Sequence, residues 1–162
     1  MTNIAMGISP SERSSNLETL MKVSKEKLKL AVKQLTDDWQ IQPVALPQAG
    51  LGLLKLEDGA FHEPFYLGEF PVTTAHLSIT LPDGESVEGA AVMMSDDILH
   101  VESLAMCDAI LTHELSGCET IRELLVEGRA LQQQETNKRH AMLAKTRVDF
   151  SLLGDAGDEN ED

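Results

Sequence analysis

The residue types that could do chemistry are scattered thinly along this chain. His113-Glu114 opens like the His-Glu-x-x-His of a zinc-protease helix, but position 117 is glycine, so the second ligand is missing and the motif fails. Cys107, His113 and Cys118, with His100 upstream, are zinc-binding types. They form no Cys-x-x-Cys pair and fit no recognised clamp spacing, and buried free thiols are common, so no metal is expected on this chain. "AGLGLLK" (49–55) has two glycines but lacks the third that a phosphate loop needs, and it runs into a strand rather than a helix. Glu63 and Glu69 could form a carboxylate pair, yet a chain with 27 acids exposes most of them. No serine sits in a Gly-x-Ser-x-Gly turn. His76 falls in an alternating run and should face away from Ala75 and Leu77, as a surface or interface residue rather than a base. These residues alone assign no catalytic group and no cofactor.

The elements that would position such residues are clearer. "SPSE" (9–12) is a helix start, with Ser9 as cap, Pro10 in the first turn and Glu12 at the capping-box position. Apolar residues at helical spacing then predict helix over 10–36, broken near Ser24, which can cap a second segment. From Trp39 to Met94 the pattern changes to strands. "WQIQPVAL", "GLGLLKLE", "PFYLGEF", "VTTAHLSITL" and "SVEGAAVMM" alternate or carry β-formers, and Asp83-Gly84 marks a hairpin turn. Pro43 argues for an edge position. In 72–81, Thr73, Ala75, Leu77, Ile79 and Leu81 share one face. Short connections leave no room for crossover helices, so the strands form an antiparallel meander.

Helices resume after Ser95-Asp96-Asp97, whose side chains can cap. "SGCE" (116–119) repeats the capping box, and Gly128 should interrupt the helix that follows. Residues 129–145 favour helix, with Glu135 and Arg139 at i, i+4, but their apolar stripe is thin: Leu131, then Met142 and Leu143. A helix this polar is poorly anchored to its own domain. With the apolar 146–153 it reads as a partner-docking helix and arm. The fold class is therefore α+β: N-terminal helices, a meander of four to five strands, and C-terminal helices. One domain spans 1–154, with its docking arm at about 129–153 and a disordered acidic tail at 155–162.

The chain has 162 residues and a net charge of −14, five of its acids lying in the tail. Duplex binding needs a basic surface to neutralise phosphates, and no basic run exists, so nucleic acid is not an expected partner. Two cysteines make no disulfide framework. No apolar run approaches the roughly 18 residues of a membrane span and no signal peptide opens the chain, so a cytoplasmic location is expected, with no membrane partner.

One segment resists a simple strand reading: "FYLGEFPVT" (65–73) holds glycine, a carboxylate and proline within four positions. It resembles the Phe-x-Leu-Gly-Glu-Val-Pro-Val-Thr signature of the PhnG family, subunits of the bacterial carbon–phosphorus lyase core complex. "HVESLAMCDAIL" (100–111) is similar to the family's His-Ala-Glu helix at His100, Glu102, Ala105, Asp108 and Ala109. "KTRVDF" (145–150) resembles its Thr-Arg-Val-Asp-Phe ending. Three motifs in order, from about residue 11 to 153, make the resemblance specific. The chain departs from the pattern at Thr74 and Asp96, where the family has arginine, so an Arg-to-phosphate role at those positions would be absent here.

The resemblance implies an accessory subunit of alpha-D-ribose 1-methylphosphonate 5-triphosphate synthase. That complex transfers the ribose 5-triphosphate moiety of ATP or another purine nucleoside triphosphate onto an alkylphosphonate. It implies a hetero-oligomer with the other core subunits, two copies of each, and zinc on a neighbouring subunit rather than on this chain. The alternatives are a subunit that contributes side chains to the substrate site, with Arg147 and Asp149 as first candidates and Glu69 and His100 behind them, or a diverged stand-alone binding domain. Gly68 is expected to let the strand bend or another backbone approach, and Pro71 to end pairing at a corner or edge before the next strand begins at Val72.

Overall fold

The computed structural model describes residues 8–145; the 146–153 segment, with Arg147 and Asp149, and the acidic tail lie outside the described residues. Four helices and three strands follow in the order α1 (Pro10–Leu20), α2 (Lys25–Leu35), β1 (Gln40–Glu57), β2 (Pro64–Thr80), β3 (Ser86–Met93), α3 (Ile98–Thr112) and α4 (Cys118–Lys145). The class is α+β, with one antiparallel sheet ordered β1-β2-β3.

The helix starts form where their caps predict. Ser9 accepts from the Glu12 amide, and Pro10 opens α1. Ser24 accepts from the Lys27 amide and starts α2 after the break. Asp97 accepts from the His100 amide at the start of α3. The box at Ser116 is not formed: α4 begins at Cys118, and the Glu119 carboxylate is taken by Arg122 instead.

α3 is the hub. Val101, Leu104, Ala105, Cys107, Ala109, Ile110 and Leu111 are buried around its whole circumference. One side lies on β2 and β3, and the others meet α1, α2 and α4. Thr73, Ala75, Leu77 and Ile79 of β2 face it, as their alternation predicts. Gly128 does not interrupt α4. It is buried where α1 crosses, and a Cβ there would sit 2.4 Å from the Thr19 carbonyl oxygen. The glycine that weakens helix propensity is thus retained for close helix packing. No helix of the described residues is long and apolar enough to cross a membrane.

The strand count is three, not four to five, because prolines and glycines within 40–80 are absorbed rather than turned. β1 runs 18 residues through Pro43 and Pro47, with register shifts between Pro43 and Ala45 and between Ala45 and Gln48. It is an edge strand, where a missing donor is tolerated. β2 runs 17 residues straight through Gly68-Glu69-Phe70-Pro71, so the expected corner does not exist. Leu51 pairs with Pro71, Gly52 with Phe70, Leu53 with Glu69 and Leu54 with Gly68. Pro71 is tolerated because β3 ends opposite Thr73, leaving this part of β2 a partner on one side only. Gly68 flanks a third register shift, between Leu54 and Lys55, where β2 carries the extra residue Leu67.

Candidate functional site

The sequence-derived candidates do not converge. Glu69 is exposed on β2, and its strand partner is Leu53. His100 lies in the first turn of α3, and no hydrogen bond or ion pair joins it to Glu69. Among the described residues no three of His, Cys, Asp and Glu could hold a metal ion. Burial pushes the Cys107 thiol up to about 12, with Asp108 adding in the same direction, which removes it as a nucleophile. One hollow, about 220 Å³, is lined by Lys25, Glu26, Lys29, Asp97, His100 and Ser103 among others. Burial holds the His100 imidazole below its usual range against the pull of Asp97, and its buried Nε2 has no partner. Two lysines face two carboxylates there, and Lys25 Nζ is already 2.8 Å from Asp97 Oδ2, so the hollow offers a polyphosphate no net cation.

His76 faces away from Ala75 and Leu77 as expected, and its Nε2 is 2.8 Å from Glu88 Oε2 across the open face of the sheet. A base of this kind needs a nucleophile and a holder for developing charge. The hydroxyls of the neighbouring Ser86 and Thr80 bond each other at 3.3 Å. Thr74 and Asp96, the two departures from the resembled pattern, also find their place. The Thr73 hydroxyl donates to the Ser95 carbonyl, pinning β2 to the turn before α3, and Thr74 and Asp96 flank that bond. Both are exposed, and no hydrogen bond or ion pair of either side chain is present.

What the structure does assemble is an apolar arm. Beyond Ala49 on β1 and before Thr73 on β2, the two strands leave the domain as a two-stranded ribbon with no third strand beside it. Of the twenty large apolar side chains left exposed among the described residues, eight lie between Leu51 and Leu67, which makes this ribbon the main uncovered surface. Strand alternation places Leu51, Leu53 and Tyr66 on one face and Leu54, Leu56, Phe65 and Phe70 on the other. The Phe70 ring lies over Gly52, where an added Cβ would meet its Cζ at 2.6 Å. This cross-strand pairing gives the second face some packing of its own, whereas Leu51 and Leu53 stand 69% and 57% exposed. Covering one such leucine is worth about 1–2 kcal/mol. At the tip, the Asp58 carboxylate accepts from the Phe61 amide at 3.0 Å, and Phe61 itself is 80% exposed.

A two-stranded ribbon is marginal in water unless something covers it, and bare edges invite pairing with other chains. The arrangement suits recognition, not bond-making. Sequence reading missed the arm because "GLGLLKLE" and "PFYLGEF" look like ordinary core strands. The signal it passed over was the lack of polar alternation in 50–56, which lets neither face be the wet one.

The outer half of α4 is also bare: from Arg129 to Lys145 every residue but Gln132 is exposed. Glu135, expected to pair with Arg139, instead reaches Lys22 at 2.7 Å and ties α4 to the end of α1.

Comparison with known proteins adds two findings. A family model described as phosphonate metabolism protein PhnG matches residues 11–154. A relative in Rhizobium meliloti (strain 1021), the alpha-D-ribose 1-methylphosphonate 5-triphosphate synthase subunit PhnG, is 26% identical over 142 residues, 88% of each chain.

Proposed function

Because this chain belongs to the PhnG family of phosphonate metabolism proteins, we propose that it is a non-catalytic subunit of a multi-subunit synthase of the kind its relative is named for. In that role it supports transfer of the ribose 5-triphosphate moiety of a purine nucleoside triphosphate onto an alkylphosphonate, in the cytoplasm. Nucleotide and zinc are handled by partner subunits, and this chain supplies surface. The observation that carries the reading is the contrast within the fold: no nucleophile, base and anion holder converge among the described residues, while eight of the twenty exposed large apolar side chains are gathered on one projecting ribbon. A subunit that holds others together needs the second and not the first. The outer half of α4 and the sequence after it, 129–153 together, form a further attachment.

The test is reconstitution of the complex with and without this chain, assaying formation of the ribose 1-phosphonate 5-triphosphate product. Omission should abolish complex assembly and product together. Arg147→Gln and Asp149→Asn should assemble and turn over normally. Normal assembly with turnover lost in either variant would instead make this chain a contributor to the substrate site.

A further inference from the structure

We propose that the β1–β2 arm is inserted into a cleft of a different subunit, with apolar walls against both faces of the ribbon and basic residues at the closed end. This rests on the assembly reading above and adds the shape and chemistry of the partner.

Three features of the arm define that partner. First, both faces carry large apolar side chains: Leu51, Leu53 and Tyr66 on one, beside Lys55 and Glu69, and Leu54, Leu56, Phe65 and Phe70 on the other. A ribbon laid on a flat surface covers one face and leaves the other wet. Only an occupant that encloses it covers both. Second, the shaft is nearly free of charge. Between Gln40 and Leu56 the one ionisable side chain is Lys55, and between Pro64 and Val72 the one acid is Glu69. The walls therefore need few charges. Third, the tip is acidic: Glu57, Asp58 and Glu63 lie within seven residues that contain no lysine or arginine. The end of the cleft must answer three carboxylates, and cations do so. The same charge disfavours a second copy as occupant, because the tip would enter another chain of net charge −14. Register supports insertion as well. The Phe70 ring over Gly52 keeps the ribbon thin at mid-shaft, where a side chain on residue 52 would collide with the ring.

The experiment is co-expression with the remaining synthase subunits, pulling on one of them and quantifying this chain in the eluate. Leu53→Glu puts a charge on one face and Leu54→Glu on the other. Each alone should lower recovery by roughly tenfold or more, since an apolar wall cannot solvate the carboxylate. Both leucines are exposed, so the urea midpoints of the variants should match the wild type; Leu51→Glu and Leu56→Glu repeat the test face by face if either does not. Glu57→Gln with Glu63→Gln should flatten the salt dependence of association. Wild-type recovery for either single-face variant overturns insertion, and unchanged salt dependence overturns the basic end. A homodimer of the isolated chain that Leu53→Glu dissolves would make a second copy the occupant and overturn the proposal. Failure of the wild-type chain to associate at all would be a failure of the assembly reading itself, separate from these results.

Discussion

Removing the Arg13 side chain should destabilise the domain sharply although Arg13 lies at its surface. Its guanidinium grips Asp108 with both arms, Nε 2.8 Å from Oδ1 and Nη2 bonded to Oδ2. Asp108 is 2% exposed, on the buried face of α3, and also accepts from the Ala90 amide at 3.0 Å and more distantly from the Thr112 hydroxyl. One carboxylate thus joins α1, β3 and α3. In Arg13→Ala it keeps an amide and a long hydroxyl contact and loses its counter-charge. Breaking a fully buried pair costs about 3–5 kcal/mol. Arg13 is 37% exposed, so water can enter from its side and the expected loss falls to about 2–3 kcal/mol. For a chain of 162 residues that is about 5–10 °C in Tm. Arg13→Lys should fall between, because an ammonium cannot reproduce the fork. Urea denaturation with a double-mutant cycle against Asp108→Ala isolates the pair. An Arg13→Ala variant within about 0.5 kcal/mol of wild type would refute the reasoning, since changes of that size are ordinary at surface positions.

Two further outcomes follow from the packing and from titration. Gly128→Ala gains about 1 kcal/mol of helix propensity, but its Cβ would meet the Thr19 carbonyl at 2.4 Å, and the overpacking cost of about 1–3 kcal/mol should win. A lower urea midpoint checks it, and a higher one contradicts the close α1–α4 crossing. His100 is held below its usual range by burial, so the unfolded chain takes its proton more readily than the folded one. Its contribution is present above the ordinary histidine value and is lost as pH falls through the folded one. The wild type should therefore lose more stability than His100→Gln between about pH 7.5 and 5.5. Parallel losses in the two proteins would place the imidazole in water.

The parts of the fold that were legible in the sequence were those decided by local chemistry. Ser9, Ser24 and Asp97 cap as their types and positions require, and the alternation of Thr73, Ala75, Leu77 and Ile79 names the core face without ambiguity. The misreadings share a cause: each residue answers to a neighbour that is distant in sequence. Gly128 reads as a helix breaker until α1 is seen crossing it. Pro71 reads as a strand end until β3 is seen to stop at Met93. Pro43 reads as an edge residue and lies at an edge, but that bulges let β1 run on through Pro43 and Pro47 as one strand shows only in the pairing. Asp108 was noticed only as a position in a family pattern; its place beneath Arg13, 95 residues away, needs the packed fold. The apolar arm was visible as composition but not as surface, because nothing local shows that no helix covers residues 50–57.

The account turns on that ribbon being bare in the lone chain and enclosed in the assembly. Amide hydrogen exchange on residues 50–56 and 65–72, measured on the isolated protein and on the purified complex, tests this most directly. The prediction is rapid exchange alone, compared with 75–79 and 87–93 at the base of the same sheet, and strong protection after assembly. Equal exchange in the two states, with assembly demonstrated, would contradict it.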